Sequence, residues 1–247
     1  MKGDLACRSA TVPPFILITQ RCHMKTIRSF LDRLIPQWAR RPLLCVVFVN
    51  LLVYYIPKFL EPYRRLHLVS THLDQLLPRV PFFVLIYVLA YVQWVTGFVV
   101  IARDSPERCR RFLSGDLISM VLALIVLLAW PMTMDRPPVT GTDFFSRLLA
   151  FIYSTDTPTN LFPSLHCLQS WLCFRGAIGL RRMPKAYTWA QLVFALLVFA
   201  SVVLTKQHIW PDILGGVAFA EAGQGLARLL RAERMFGKTE SKARESS

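Results

Sequence analysis

From residue 80 to residue 102 the chain carries no charged side chain. At 1.5 Å per residue this stretch makes a helix long enough to cross the ~30 Å hydrocarbon core of a bilayer. Five further runs are predominantly apolar with few charges, at residues 42–60, 113–134, 163–180, 187–204 and 210–230. Hydrophobic residues make up 54% of the chain and gather in these runs instead of spreading over one large core. The expected fold is therefore all-α, a polytopic membrane helix bundle of about six transmembrane helices. Residues 1–41 read as a basic, partly disordered and amphipathic segment, 42–230 as the membrane domain, and 231–247 as a charged, disordered tail.

The formal net charge of +14 would suit a nucleic-acid partner, but the 29 Lys and Arg residues concentrate between the apolar runs. There they are better explained by orientation in a lipid bilayer, and no nucleic acid is expected. The N-terminal segment, the turn at Arg103, Arg108, Arg110 and Arg111, the turn at Arg181, Arg182 and Lys185, and the tail belong on one face. The positive-inside rule makes that face cytoplasmic, with both termini inside. Arg64 and Arg65 are exceptions on the outer face. Within residues 1–41, Ile27, Phe30, Leu31, Leu34 and Ile35 recur at helical spacing among arginines, which suits a surface helix. The first 23 residues read as an upstream extension ahead of Met24. Between the first two spans, Leu66, Leu68, Leu73, Leu76 and Leu77 fit a short interfacial helix.

The chemistry concentrates on the opposite, extracytoplasmic or lumenal face. Residues 160–167 read Asn-Leu-Phe-Pro-Ser-Leu-His-Cys, and Pro163 suits the first turn of a helix, where its missing N–H costs nothing. Ser164 and His166 would then sit at a helix start, which favours phosphate. His208 and Asp212 stand four apart, so a helix would set the carboxylate beside the imidazole. Arg136 lies in a polar, proline-rich loop over residues 135–160 on the same face. Two histidines, an aspartate, a serine and one or two cations suffice for phosphoryl transfer, one histidine attacking phosphorus and the other protonating the leaving oxygen. This chemistry needs no metal or cofactor. The six cysteines form no CxxC pair and read as free, mostly buried thiols.

At these residues the chain resembles the type 2 phosphatidic acid phosphatase superfamily. The family's second motif, Pro-Ser-Gly-His, stands here as Pro163, Ser164, Leu165 and His166. Its third motif is matched by Ser201, His208 and Asp212, and the Arg-Pro that closes its first motif by Arg136 and Pro137. The resemblance implies that His208 is the nucleophile forming phosphohistidine, Asp212 its orienting partner and His166 the general acid, with Arg136 and Ser164 as phosphate ligands. The first-motif lysine falls on Ala129, the third-motif arginine on Val202 and the second-motif glycine on Leu165. Lys206, close to His208, is the candidate replacement cation. The Phe-Pro-Ser-Leu-His form looks like the branch containing inositol phosphorylceramide synthases and related bacterial lipid phosphatases. A lipid phosphatase acting on phosphate monoesters is expected. The alternatives are a head-group phosphotransferase of the inositol phosphorylceramide or sphingomyelin synthase type, and an inactive membrane scaffold.

Other polar residues have ordinary readings. Glu221 and Gln224 suit interhelical hydrogen bonds or a counter-charge for Arg175, and Gly215 with Gly216 suits close helix packing. Trp130, Trp171, Trp189 and Trp210 read as interfacial anchors. His67 and His72 make a poor metal pair, and Asp143 and Asp156 read as solvated loop carboxylates.

Overall fold

The computed structural model describes residues 34–236. The 1–23 extension, Cys7, Cys22, most of the amphipathic helix expected over 27–35, and residues 237–247 of the tail lie outside them. Eight α-helices follow in chain order: α1 (Gln37–Leu60), α2 (His72–Leu76), α3 (Val84–Ala102), α4 (Pro106–Ala129), α5 (Phe144–Thr155), α6 (Leu165–Ala177), α7 (Lys185–Leu204) and α8 (Trp210–Leu229). Two-residue strands β1 (His67–Leu68) and β2 (Met132–Thr133) pair in parallel, and Met132 also bridges to Asn160. This small ribbon draws three loops together over one end of the bundle.

The fold is all-α, as the apolar runs imply. Four of the described helices are long and apolar enough to cross a membrane, namely those at Gln37–Tyr63, Pro81–Ala102, Pro106–Ala129 and Lys185–Leu204. The other two expected spans depart from that standard. Helix α6 has only 13 residues, about 20 Å of helix, and α8 carries Asp212, Glu221 and Gln224. Helix α6 is mostly buried among other helices and requires no continuous apolar face against lipid, whereas α8 sets Glu221 against α6 and Gln224 against α4 and leaves Leu214 and Leu229 exposed. Within the segment expected as a disordered tail, residues Ala232–Phe236 form a 3₁₀ turn. It is tied to α4 where Ser114 donates to the Ala232 carbonyl at 3.0 Å.

Residues 135–160, expected as one irregular loop, contain α5. Asp143 is its N-cap, accepting from the Phe145 and Ser146 amides at 3.0 and 3.1 Å, and Leu149 anchors it in the core. The interfacial helix expected among the leucines of residues 66–77 is present in shortened form as α2, while Leu68 goes into β1.

Helix α4 is the hub, packing most extensively against α8 and also against α1. The close approach to α8 depends on small residues: a Cβ on Gly223 would meet Ser119 and, at 2.6 Å, the Gly115 carbonyl. Gln224 donates to the Phe112 carbonyl at 3.1 Å. Glu221 accepts from Trp171 Nε1 at 2.7 Å and pairs with Arg175. Glu221 and Gln224 are thus the interhelical contacts expected of them, and Trp171 is one too, instead of an interfacial anchor. Arg64, expected as an exception to the charge count, donates to the Leu127 and Leu128 carbonyls at the C-terminus of α4, where a cation complements the helix dipole.

The two ends of the bundle differ in charge. Past the end of α3, Asp104 accepts from the Arg181 amide at 2.8 Å and pairs with Arg108, so the basic turns meet there. At the start of α3, Tyr87 stacks on His166. Seventeen residues of helix, about 25 Å, separate the basic end from the histidine end.

Candidate active site

The second motif is built around a helix start. Ser164 is the N-cap of α6, its Oγ accepting from the Cys167 amide at 3.4 Å. Helix geometry thus begins at Leu165, and Pro163 lies one residue before the cap instead of in the first turn. Serine caps far better than leucine, which sets this register. Ser164 is fully buried and stands behind the cavity wall formed by Leu165 and His166. Its hydroxyl serves the helix end.

His166 is held by aromatic rings. Tyr87 stacks on it with centroids 4.0 Å apart, and Trp94 and Tyr91 lie at 4.9 and 5.4 Å. Its Nε2 is buried with no hydrogen-bond partner among the described residues, which leaves it a proton to give or receive.

The third motif uses a helix start differently. His208 lies in the turn before α8, and Asp212 is the third residue of that helix, so the two do not share a helix as their spacing suggests. The Asp212 carboxylate reaches back, and its Oδ2 accepts the Ile209 amide at 3.1 Å and contacts His208 Nδ1 at 3.1 Å. A carboxylate that receives the Nδ1 proton fixes the tautomer and leaves Nε2 as the basic nitrogen. Asp212 is fully buried and His208 nearly so. The two motifs meet through the main chain, where the Ser164 amide donates to the Asp212 carbonyl at 3.1 Å. Gly216 permits this approach, since a Cβ there would meet the Ser164 carbonyl at 2.7 Å.

Arg136 completes the polar end. It donates to the Asp156 carbonyl and to Gln207 Oε1, both at 2.6 Å, and lies over the Tyr153 ring at 4.9 Å. Burial pushes its guanidinium down from the ordinary value, against the opposing pull of Asp156 and nearby tyrosines. Asp156, read as solvated from sequence, is instead partly buried. Its carboxylate accepts from Lys58, from Tyr54 at 2.9 Å and from Tyr87 at 3.1 Å. Burial disfavours its charge, but the Lys58 ammonium and the Tyr54 hydroxyl hold it below the usual carboxylate range. Lys58 thus neutralises Asp156, leaving the Arg136 charge for a ligand.

These groups open into one cavity of about 580 Å³, lined at its polar end by Arg136, Asp156, His166, Gln207 and His208. Among the described residues Arg136 is the one Lys or Arg in that lining. The walls then become apolar, running along α1 from Tyr54 to Leu43 and along α3 from Tyr87 to Phe98. Eleven residues on each helix make a channel about 16 Å long. Midway sit Asn50 and Gln169, bonded to the fully buried Asp116. An ionisable side chain there costs ~2.5–3.5 kcal/mol on insertion scales and marks function by default. Among the described residues no three His, Cys, Asp or Glu side chains gather as a metal-binding group.

Lys206, the candidate replacement cation, points elsewhere. Its Nζ donates to the Asp74 and Leu77 carbonyls, from a backbone with φ of 53°. Asp74 in turn accepts the Trp210 amide at 3.0 Å. Lys206 is therefore a clasp between α2 and the His208 turn, since helix C-terminal carbonyls attract a cation more directly than a site it does not face. Replacing Lys206 with methionine should lower kcat for phosphate-ester cleavage about 10- to 100-fold through a loosened His208 turn. Its KM should stay within about twofold. Steady-state kinetics decide the matter: a KM rise with unchanged kcat would make Lys206 a ligand for substrate phosphate after all.

The profile of the PAP2 superfamily matches residues 59–226, a stretch that takes in Arg136, Ser164, His166, His208 and Asp212. No curated protein and no solved structure matches the chain. With the family profile covering more than half of its length, the chain belongs to the PAP2 superfamily.

Proposed function

We propose that this chain is an integral membrane enzyme that hydrolyses phosphate monoesters of lipids through a phosphohistidine intermediate. His208 Nε2 attacks phosphorus, and the bond to the lipid oxygen breaks as His166 gives that oxygen a proton. Water, deprotonated by His166, then displaces phosphate from His208. Asp212 accepts the Nδ1 proton throughout and offsets the positive charge of the phosphorylated imidazole. Arg136 and the first N–H groups of α6 hold the equatorial oxygens, where charge accumulates in the transition state. The observation carrying this reading is that His166, His208 and Arg136 line one end of a cavity whose remaining length is mostly apolar, with Asn50 and Gln169 midway. That is the shape of a phosphate head on a hydrocarbon chain. The basic end of the bundle faces the cytoplasm in this reading, with the termini, and the histidine end faces outward.

Phosphate release from a panel of lipid phosphates by detergent-purified protein tests it, with and without added diacylglycerol or ceramide. Release, together with an acid-labile phosphoprotein in quenched reactions, is the expected result. Head-group movement onto the added alcohol without phosphate release would replace hydrolysis by transfer. Silence in both arms would leave a non-catalytic membrane scaffold.

A further inference from the structure

Asn50, Gln169 and Asp116 form a closed polar cluster in the apolar channel, and their amide orientations follow from one backbone carbonyl. The Val46 carbonyl can only accept, so the Asn50 group 2.8 Å from it is Nδ2. That same Nδ2 donates to Asp116 Oδ2 at 3.1 Å. The Asn50 Oδ1 is thereby turned the other way and accepts from Gln169 Nε2 at 2.6 Å. Gln169 Nε2 also donates to Asp116 Oδ1 at 2.8 Å, so both of its hydrogens are used. Its Oε1 accepts no hydrogen bond from any described residue, although Gln169 is 4% exposed and lines the cavity. What the cluster offers a ligand is an acceptor.

Its depth selects which part of a ligand meets it. Gln169 lies three residues beyond His166 on α6, about 4.5 Å along the helix axis, and Asn50 lies four residues below Tyr54 on α1. A phosphate at the histidines puts the second and third carbons of a lipid backbone at this level. We propose that Asn50, Gln169 and Asp116 are a specificity subsite that recognises an N–H or O–H donor on the lipid backbone next to the phosphate. Lipid phosphates with an amide or free hydroxyl there are favoured over wholly ester-linked ones, whose carbonyls only accept, and over polyisoprenoid ones, which offer neither. Asp116 is a positioning residue that anchors both amide N–H₂ groups and so holds the Gln169 oxygen toward the cavity. The inference rests on the lipid-phosphate reading of the site and names the substrate class within it.

The test is competitive binding of ceramide 1-phosphate, chain-matched phosphatidic acid and farnesyl phosphate to detergent-solubilised protein, read by native mass spectrometry beside phosphate release. Wild type should prefer ceramide 1-phosphate by about tenfold, the scale of one matched against one unmatched hydrogen bond. Gln169→Met should remove the preference. Asp116→Asn is nearly isosteric and sharpens the test. An asparagine side chain can no longer accept from both Asn50 Nδ2 and Gln169 Nε2, so one of the two amides loses its anchor and the preference should fall toward equal binding. A cluster with a merely structural role would leave the preference unchanged. Equal binding by wild type, or a preference untouched in both variants, overturns the inference even if lipid phosphates are cleaved. A preference that behaves as described, in a protein releasing no phosphate, would sustain the subsite and overturn the phosphatase reading.

Discussion

His208→Ala should reduce phosphate-ester cleavage by about 10⁴-fold or more, because in the proposed mechanism it removes the atom that bonds to phosphorus and not only a stabilising contact. Arg136 and the α6 helix start remain in the variant, so lipid phosphate should still bind with an affinity within a few-fold of wild type. The measurement pairs single-turnover kinetics with equilibrium binding. A fall in binding that matches the fall in rate would recast His208 as a substrate ligand, and a rate within about tenfold of wild type would remove it from the chemistry altogether.

Asp212→Asn is expected to lower kcat by about 10³- to 10⁴-fold with little change in KM. One carboxylate oxygen serves both the Ile209 amide and His208 Nδ1, and an asparagine oxygen can take the same position. The turn is then kept, but the negative charge that offsets a phosphorylated imidazolium is gone. The penalty falls on the transition state and the intermediate and spares the ground state. Rapid-quench detection of phosphoprotein discriminates: slower formation with unchanged binding supports the role, whereas unchanged kcat would reduce Asp212 to a helix cap.

The contrast between Asp212 and Lys206 shows what spacing along a chain can reveal. His208 and Asp212 were legible because the contact that joins them is local, and it persists although one of them lies outside the helix. Lys206 is just as near His208 in sequence, yet a left-handed backbone turns it toward α2, a direction that no pattern of residue types encodes. Asp156 met the opposite fate. Its partners Lys58, Tyr54 and Tyr87 come from α1 and α3, so sequence offered only a loop carboxylate. The membrane character of the chain was plain from its apolar runs, but counting them could not separate long apolar helices from α6, which is short and mostly buried among other helices. Asp116 and Lys58 did leave a signal, as charges inside apolar runs, and that signal acquires meaning only when their partners are known. Helix α5 was hidden by the prolines and polar residues before it, although Asp143 followed by phenylalanines carries an N-cap signature.

The Ser164 amide bonded to the Asp212 carbonyl, with Gly216 pressed against the start of α6, means that the two catalytic segments are spaced by main chain and not by side-chain packing. The channel wall opposite is α1, whose apolar stretch is 17% buried against 56% for α4. In the proposed function the reacting groups thus sit on an anvil, while a hydrocarbon tail would lie against a door hung in the lipid. Changes in bilayer thickness tilt long, loosely held helices, and here they would reshape the door without touching the anvil. A protein so divided can let the membrane around it choose which lipids are admitted while the reaction performed on them stays the same.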